Sequence, residues 1–307
     1  MINTERKDRL FSFMFGREEN KRWALSLYNS VNHTSYSDPD EIHFNTMNDT
    51  LYMGMKNDVS LIVRATMNLY EHQSTYNPNM PLREFVYAAL LYDKYIHEQG
   101  ANIYGERLIE IPIPRLVVFY NGTKSTEDEV ILELKDAFPE GEDPDTSDIH
   151  VRVRMLNINY GRNQALLDEC KPLMEYSWLI GEIRSNTANG MTIDDAVDKA
   201  VDDMPKTYEI KSFLMANRAE VKAMCITEYN EAETMQMFKE EGREEGLVKG
   251  REEGLVKGRE EGREEGVRGI VEVCKSFGGT SIDAVEKIVA TMGFSEAEAD
   301  HLVKKFW

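Results

Sequence analysis

The sequence predicts an α/β (α+β) protein with a mixed central sheet flanked by helices and a helical extension toward the carboxyl end. Three observations lead to this class. About 41% of the 307 residues are hydrophobic and 30% are charged, so the chain can bury a core and remain soluble. Short runs of β-branched and aromatic residues concentrate between residues 42 and 73 and return near 116–120 and 151–158. From Asn163 onward the apolar spacing is helical.

The first hundred residues contain the signals for helix, strands and helix, in that order. Apolar side chains between residues 10 and 31 are spaced as in two short helices, or one bent helix, broken near Gly16. Alternating and aromatic residues with turn signals then predict strands near 42–46, 50–55, 57–63 and 67–73. Leu82 to Gln99 has the spacing of a helix, and Gly100 ends it.

The middle of the chain combines a buried strand with an acidic segment. Leu116 to Tyr120 is wholly apolar and ends at Asn121-Gly122, which is typical of a central strand. Residues 123–148 contain proline and glycine, and from Lys124 to Asp148 ten acidic residues face two basic ones. We expect a solvated loop with one or two helical turns there, followed by a last strand at 151–158.

The carboxyl-terminal half reads as helices. Thr192 to Asp195 is a helix start, Pro205 interrupts, and residues 208–239 form one long amphipathic stretch. Three short helices are then expected at 267–277, 282–292 and 296–306, the last two capped by Thr280 and Ser295. The predicted division is a mixed-sheet core at 1–160 that includes the acidic loop 123–148, a helical extension at 161–240, a repeat at 241–266, and a helical tail module at 267–307.

The segment 241–266 repeats with a period of four, and glycine recurs at every fourth position from 242 to 266. On a helix such a stripe drifts only slowly around the axis, and small residues allow two helix backbones to approach closely. Each glycine also costs about 1 kcal/mol of helix stability relative to alanine. Two interpretations stay open: a helix that associates with itself, giving a homo-oligomer, or a partly frayed, solvated linker.

The net charge of −19 excludes a protein that coats nucleic acid, and the acidic segment carries much of the excess. Its three cysteines lie far apart without a CxxC pair, which disfavours a disulfide scaffold or a zinc finger. No apolar run is long enough to cross a membrane, and no secretory signal is recognisable. A cytoplasmic protein without membrane contact is the expectation.

The residues best suited to catalysis or metal binding lie between Lys56 and Tyr92. If strands 57–63 and 67–73 are neighbours, Asp58 and Glu71 can meet, and Gln73 shares the face of Glu71 because side chains alternate. Two carboxylates from adjacent strands suit Mg²⁺ or Mn²⁺. Such an ion supports phosphodiester hydrolysis, with Gln73 placed to orient the water or the phosphate. Polar residues at a solvated strand end are the competing interpretation, and His72 points to the other face as a packed or surface histidine.

Arg83 stands in the first turn of the next helix, where a positive charge opposes the helix dipole. A phosphate gathered by Arg83 and the helix amino terminus would explain this position. Tyr87 lies one turn further on the same face. It is a candidate for the same phosphate or nucleic-acid contact, or a core aromatic.

A family resemblance covers roughly Asp8 to Gly122. The strings DRLFSFMFG, KNDVS, LYEHQSTYNPNMPLR, YAALLY and IPIPRLVVFYNG occur in the same order as in the Rpn family, and the whole resembles those proteins. These are recombination-promoting nucleases and transposases, also called YhgA-like, of the PD-(D/E)XK nuclease superfamily. The glycine-acidic repeats near the carboxyl end also resemble tails of this group.

The resemblance implies a PD-(D/E)XK, restriction-endonuclease-like core and divalent-metal-dependent cleavage of DNA. Asp58 falls at the family's metal-binding aspartate and Glu71 at the acidic residue of its E-x-Q form, while Gln73 replaces the superfamily's lysine. Asn57 stands where the superfamily name has proline. An additional acidic residue in the first helix often completes such sites, and Asp8 is the candidate, with Glu18 or Glu19 as alternatives.

Two hypotheses follow. The first is a Mg²⁺- or Mn²⁺-dependent DNA endonuclease connected with recombination or with a mobile element. The second is a catalytically inactive nuclease-like scaffold that binds or assembles through its carboxyl-terminal helices, as the missing lysine and the acidic balance suggest.

Overall fold

The computed structural model describes residues 10–46 and 58–307, and at 230–242, 244–245, 248–249 and 252 it describes the backbone alone. The chain divides into two compact units, Met1–Glu233 and Thr234–Trp307. The first unit contains a six-stranded sheet flanked by helices, and the second is helical. The predicted mixed sheet flanked by helices is therefore confirmed.

The strands and helices of the described ranges have the following bounds. The strands are β1 (Ile42–Phe44), β2 (Val59–Val63), β3 (Thr66–Gln73), β4 (Ile113–Tyr120), β5 (Glu129–Glu133) and β6 (Arg152–Asn157). The helices are α1 (Leu10–Phe15), α2 (Lys21–Asn32), α3 (Met80–Glu98), α4 (Gln164–Glu169), α5 (Lys171–Ala188), α6 (Ile193–Asp203), α7 (Lys211–Ala216), α8 (Arg218–Ser276), α9 (Ser281–Met292) and α10 (Glu296–Phe306).

The strand order is β1-β2-β3-β4-β6-β5. The first three strands form an antiparallel meander, β3, β4 and β6 run parallel, and β5 is an antiparallel edge. Arg64 makes the β2–β3 turn with a positive φ of 52°, as a tight hairpin requires. The parallel strands β3, β4 and β6 end at one edge of the sheet, which is where ligands bind in open α/β sheets.

The two faces of the sheet bury different side chains. Met67 and Leu69 of β3 pack against Tyr87 and Leu91 of α3. Tyr70 of β3 belongs instead to the main core, which α1, α2 and α5 complete on the opposite face. Because side chains alternate along a strand, Glu71 and Gln73 lie on the α3 face, whereas His72 lies on the face of the main core.

Two sequence predictions were wrong. Residues 123–148 are not only a loop, because they contain β5. Its alternation buries Leu132, while Glu129 and Glu133 form cross-strand ion pairs with Arg154 and Arg152 of β6. These ion pairs reduce the repulsion among the acidic side chains, whose number had predicted a solvated loop. Two short 3₁₀ turns supply the helical component that was predicted.

The long stretch 208–239 is also not one helix. Helix α7 ends at Ala216, and α8 starts at Arg218 and continues for 59 residues through the repeat and through the expected first helix of the tail. The strand predicted at 50–55 lies outside the described residues.

The second unit has its own small core. The end of α8 packs with α9 and α10 through buried Val271, Ile288, Ala299 and neighbouring apolar residues. Both predicted caps form as capping boxes, Thr280 with Asp283 and Ser295 with Glu298. In the described part of the chain, no helix combines the length and apolar character needed to span a membrane.

Candidate active site at the end of strand β3

The carboxyl groups of Asp58 and Glu71 meet at the edge of the β2–β3 pair. Val59 is opposite Tyr70, so Asp58, just before β2, is placed opposite Glu71. The backbone N–H of Asp58 donates to Glu71 Oε1 at 3.2 Å, and the backbone N–H of His72 donates to Asp58 Oδ2 at 2.7 Å. The structure thus brings together the two carboxylates that the sequence proposed as metal ligands.

Glu84, the fifth residue of α3, adds a third carboxyl group close enough for the charges of Glu71 and Asp58 to act on it. Its exposed fraction is 0%, and neither carboxylate oxygen has a hydrogen-bond partner among the described residues. Burial, followed by the negative charges of Glu71 and Asp58, raises the pKa of Glu84 well above its usual range, and Arg83 opposes this. Burying a carboxyl group that has no hydrogen-bond partner costs free energy, and in native proteins such a group usually has a functional or structural cause.

Glu84 was not among the residues predicted from the sequence, although a signal for it exists. Met80, Glu84, Ala88 and Leu91 follow helical spacing, and all four are buried. A carboxylate within the apolar face of an amphipathic helix conflicts with the pattern around it. Such conflicts concentrate at functional sites.

Arg83 is paired with a carboxylate instead of being left open to an anion. Its Nη2 lies 3.4 Å from Glu71 Oε2 and donates to the Tyr87 hydroxyl at 3.2 Å. Burial lowers the pKa of Arg83, but the Tyr87 hydrogen bond and the Glu71 charge raise it overall. The pair explains a basic residue in the first turn of α3 without a phosphate. Tyr87 is largely buried in the apolar cluster under α3 while its hydroxyl reaches this pair.

Gln73 occupies the last position of β3, two residues beyond Glu71. It is 8% exposed, and its backbone carbonyl accepts a hydrogen bond from the N–H of Asn121 at 2.9 Å. Its side-chain amide makes no hydrogen bond within the described ranges. The amide is therefore available to orient a ligand on the Glu71 face.

His72 is packed on the other face of the sheet. Its ring lies 5.5 Å from that of Phe11, and its Nε2 is 3.0 Å from the hydroxyl of Tyr176 on α5. Burial, then the charges of neighbouring groups, raises the pKa of Tyr176 well above its usual range. His72 therefore supports Asp58 through its backbone N–H, and its ring is engaged with the core.

The additional acidic candidates do not join this group in the described structure. Asp8 lies outside the described residues. Glu18 pairs with Lys21 at 2.8 Å and Glu19 with Arg17 at 3.4 Å, and both carboxylates are well exposed.

The donor set suits a hard cation. Among residues 10–46 and 58–307, no three His, Cys, Asp or Glu side chains are arranged as they stand to hold a metal ion together. Two adjacent carboxylates leave several positions for water, which is how Mg²⁺ is usually held. Both oxygens of the Glu84 carboxyl group are buried without a hydrogen-bond partner among the described residues, but Glu84 does not join Asp58 and Glu71 in a ready-made three-residue site. On this chemistry, Asp58 and Glu71 fit Mg²⁺ or Mn²⁺.

A polar cleft of about 740 Å³ lies elsewhere, along α2 and the segment after it. Arg22, Ser26, His33, Tyr36 and Glu169 contribute to its lining. It contains one carboxylate and none of the residues described above, so it offers no comparable chemistry.

Comparison with protein-family models, with curated proteins and with solved structures found no match to this chain. The resemblance to Rpn-type nucleases therefore stays a prediction.

Proposed function

We propose that this chain is a divalent-metal-dependent DNA endonuclease that hydrolyses phosphodiester bonds, in connection with recombination or a mobile element. One observation carries the proposal. The backbone N–H of Asp58 donates to the Glu71 carboxylate at the end of the β2–β3 pair, and the charges of both residues act on the buried carboxyl group of Glu84, whose oxygens have no hydrogen-bond partner among the described residues. Three acidic groups at one place raise the free energy of the isolated protein unless a cation reduces their repulsion. The mixed sheet agrees with the PD-(D/E)XK core that the resemblance implies.

In this proposal Asp58 and Glu71 hold Mg²⁺ or Mn²⁺. When bound, such an ion offsets negative charge on a phosphoryl oxygen and makes a water molecule more acidic. The His72 N–H fixes the Asp58 carboxylate, and Arg83 fixes that of Glu71. Gln73 orients the water or the phosphate through its amide. Tyr87 holds the Arg83 guanidinium in place through its hydroxyl.

The chain is acidic overall, but its acidic strand β5 does not lie beside this site. β5 is the edge strand, and β6 and β4 separate it from β3. Two of its glutamates are paired with arginines of β6. The negative charge of β5, which would repel DNA, is thus partly neutralised, and two strands separate it from β3.

The test is cleavage of supercoiled plasmid in Mg²⁺ by the wild type, Asp58→Asn, Glu71→Gln and the control Glu98→Gln. Glu98 is an exposed carboxylate in the last turn of α3, so its variant removes the same charge from the surface. We expect nicking by the wild type and the control, and none by the two site variants, with all four proteins folded. Equal nicking by all four would assign the activity to a contaminant and refute the site.

The alternative, a catalytically inactive scaffold that assembles through its carboxyl-terminal helices, is favoured by one observation. Helix α8 is continuous across the repeat, and Leu247, Leu255 and Val256 are exposed on it. Exposed apolar side chains beside open glycine positions are suited to a second helix. The test is the mass in solution of the full chain carrying Leu247→Lys and Leu255→Lys. An oligomer that dissociates in this variant, without nicking by the wild type, would favour the scaffold.

A further inference from the structure

Arg184 of α5 lies where strands β4 and β6 end. Its Nη1 donates to the side-chain oxygen of Asn159 at 2.9 Å, and its Nη2 donates to the backbone carbonyl of Asn121. Asn121 directly follows β4, and Asn159 is two residues beyond β6. The guanidinium therefore sits at the carboxyl-terminal edge of the parallel strands, the same edge at which β3 ends.

No carboxylate in the described ranges lies within ion-pairing distance of Arg184. This distinguishes it from Arg83, which pairs with Glu71, and from Arg154, which pairs with Glu129. Burial lowers the pKa of Arg184, and more distant charges, Glu228 among them, only oppose that effect. A partly buried cation held by two neutral oxygens is less stable than a paired one, and a fixed anion would stabilise it.

The residue that binds Arg184 through its carbonyl also has an unsatisfied side chain. Asn121 is 1% exposed, yet its side-chain amide makes no hydrogen bond to the described residues, and its Oδ1 is fully buried. With the amide oxygen and nitrogen exchanged, its NH₂ group would take the place of this unsatisfied oxygen and could donate to an anion. At Gly122 a side chain is excluded, because a Cβ there would lie 2.5 Å from the carbonyl oxygen of Ser74. Asn159 Nδ2 donates to the Gly122 carbonyl at 3.0 Å and holds this turn.

Arg184 also connects to the candidate active site. Arg184 binds the backbone carbonyl of Asn121, and the backbone N–H of Asn121 donates to the backbone carbonyl of Gln73. Tyr176, whose hydroxyl lies 3.0 Å from His72 Nε2, is on α5, the helix that also carries Arg184. The cation and the carboxylate pair therefore share one edge of the sheet.

We propose that Arg184, together with the Asn121 amide, binds a phosphate of the nucleic-acid backbone. The proposal rests on the nuclease function above, and it adds a positive charge that can bind the phosphate of the substrate. Arg83 is engaged by Glu71, and Gln73 is neutral, so Arg184 supplies the cation that the superfamily's lysine would otherwise bring to this edge. The competing role is structural, a clamp between the ends of β4 and β6.

The experiment measures binding of a short labelled DNA duplex by fluorescence anisotropy, in Ca²⁺ instead of Mg²⁺, from about 50 to 200 mM KCl. Each phosphate contact contributes about 0.9 to the slope of log affinity against log salt. We expect Arg184→Gln to reduce this slope by about 0.9, and Arg184→Lys to retain it because the charge is kept. Arg152→Gln is the matched control, since Arg152 opens β6 at the opposite edge and pairs with Glu133.

A second measurement separates this proposal from the nuclease assignment. Thermal unfolding of the wild type and of Arg184→Gln is recorded in phosphate and in chloride at equal ionic strength. Stabilisation by phosphate in the wild type alone supports the anion site even if the chain does not bind DNA, in which case the nuclease function fails. Equal slopes for the wild type and Arg184→Gln, or equal phosphate effects with no DNA binding, overturn the proposal. A lower stability of Arg184→Gln with an unchanged slope assigns Arg184 to the structural role.

Discussion

Replacing Glu84 by leucine should stabilise the first unit. The side chain is fully buried, and both of its carboxylate oxygens lack partners in the described structure. A buried polar group that makes no hydrogen bond costs about 1–3 kcal/mol. Leucine removes both oxygens at nearly constant volume and contacts the apolar residues of α3. We therefore expect the free energy of unfolding to rise by about 1–3 kcal/mol. Glu84→Gln should gain less, because its amide is still unsatisfied.

The pH dependence has a definite sign. The pKa of Glu84 is raised in the folded protein, mainly by burial. Between the ordinary glutamate pKa and this raised value, the folded state binds more protons than the unfolded state. Wild-type stability should therefore fall as pH rises through that window, by up to about 1.4 kcal/mol per pH unit. Glu84→Leu lacks this loss, so its advantage should be smallest below the ordinary glutamate pKa and should grow with pH.

The assay is urea unfolding in chelator at a series of pH values, followed by tryptophan fluorescence. Trp23 and Trp178 both pack against the core of the first unit and report on it. Glu98→Gln serves as the surface control, with a change near zero. A Glu84→Leu protein that is less stable than the wild type at high pH would refute the reasoning. So would a stability difference that stays constant across the pH series.

Two further predictions concern the core and the repeat. Tyr176→Phe removes a buried hydroxyl 3.0 Å from His72 Nε2, and should lower the free energy of unfolding by about 1–3 kcal/mol in urea titration; an unchanged midpoint would mean that this hydrogen bond contributes nothing. Gly254→Ala should raise the thermal stability of α8 by about 1 kcal/mol, measured by circular dichroism, because among the described residues nothing beyond the backbone of the helix itself lies within 4 Å of the added Cβ. A fall in oligomer mass instead would place Gly254 in a close contact between helices.

Local patterns in the sequence were enough for much of the fold. Alternating and aromatic residues located β3, a wholly apolar run located β4, helical spacing located α3, and Thr280 and Ser295 marked helix starts that the structure confirms. These features depend on neighbours within a few residues, so one stretch of sequence contains them. That Asp58 and Glu71 lie on neighbouring strands was also predictable, because consecutive strands joined by a short turn usually pair; the two-residue turn that sets their register was decided by the structure.

Other features depend on residues far apart in the chain. The acidic run around Glu129 became a strand only because the arginines of β6 lie opposite it. Glu84 became a candidate site residue because α3 brings it within reach of the charge of Glu71. Arg184 became one because α5 brings it to the ends of β4 and β6. The sequence by itself determined β3, β4, α3 and the capped helices α9 and α10, and it placed Asp58 and Glu71 on neighbouring strands. Tertiary structure alone decided which charges are buried and which of them lack a partner, because burial and pairing are set by the segments that pack on a residue and not by its neighbours along the chain.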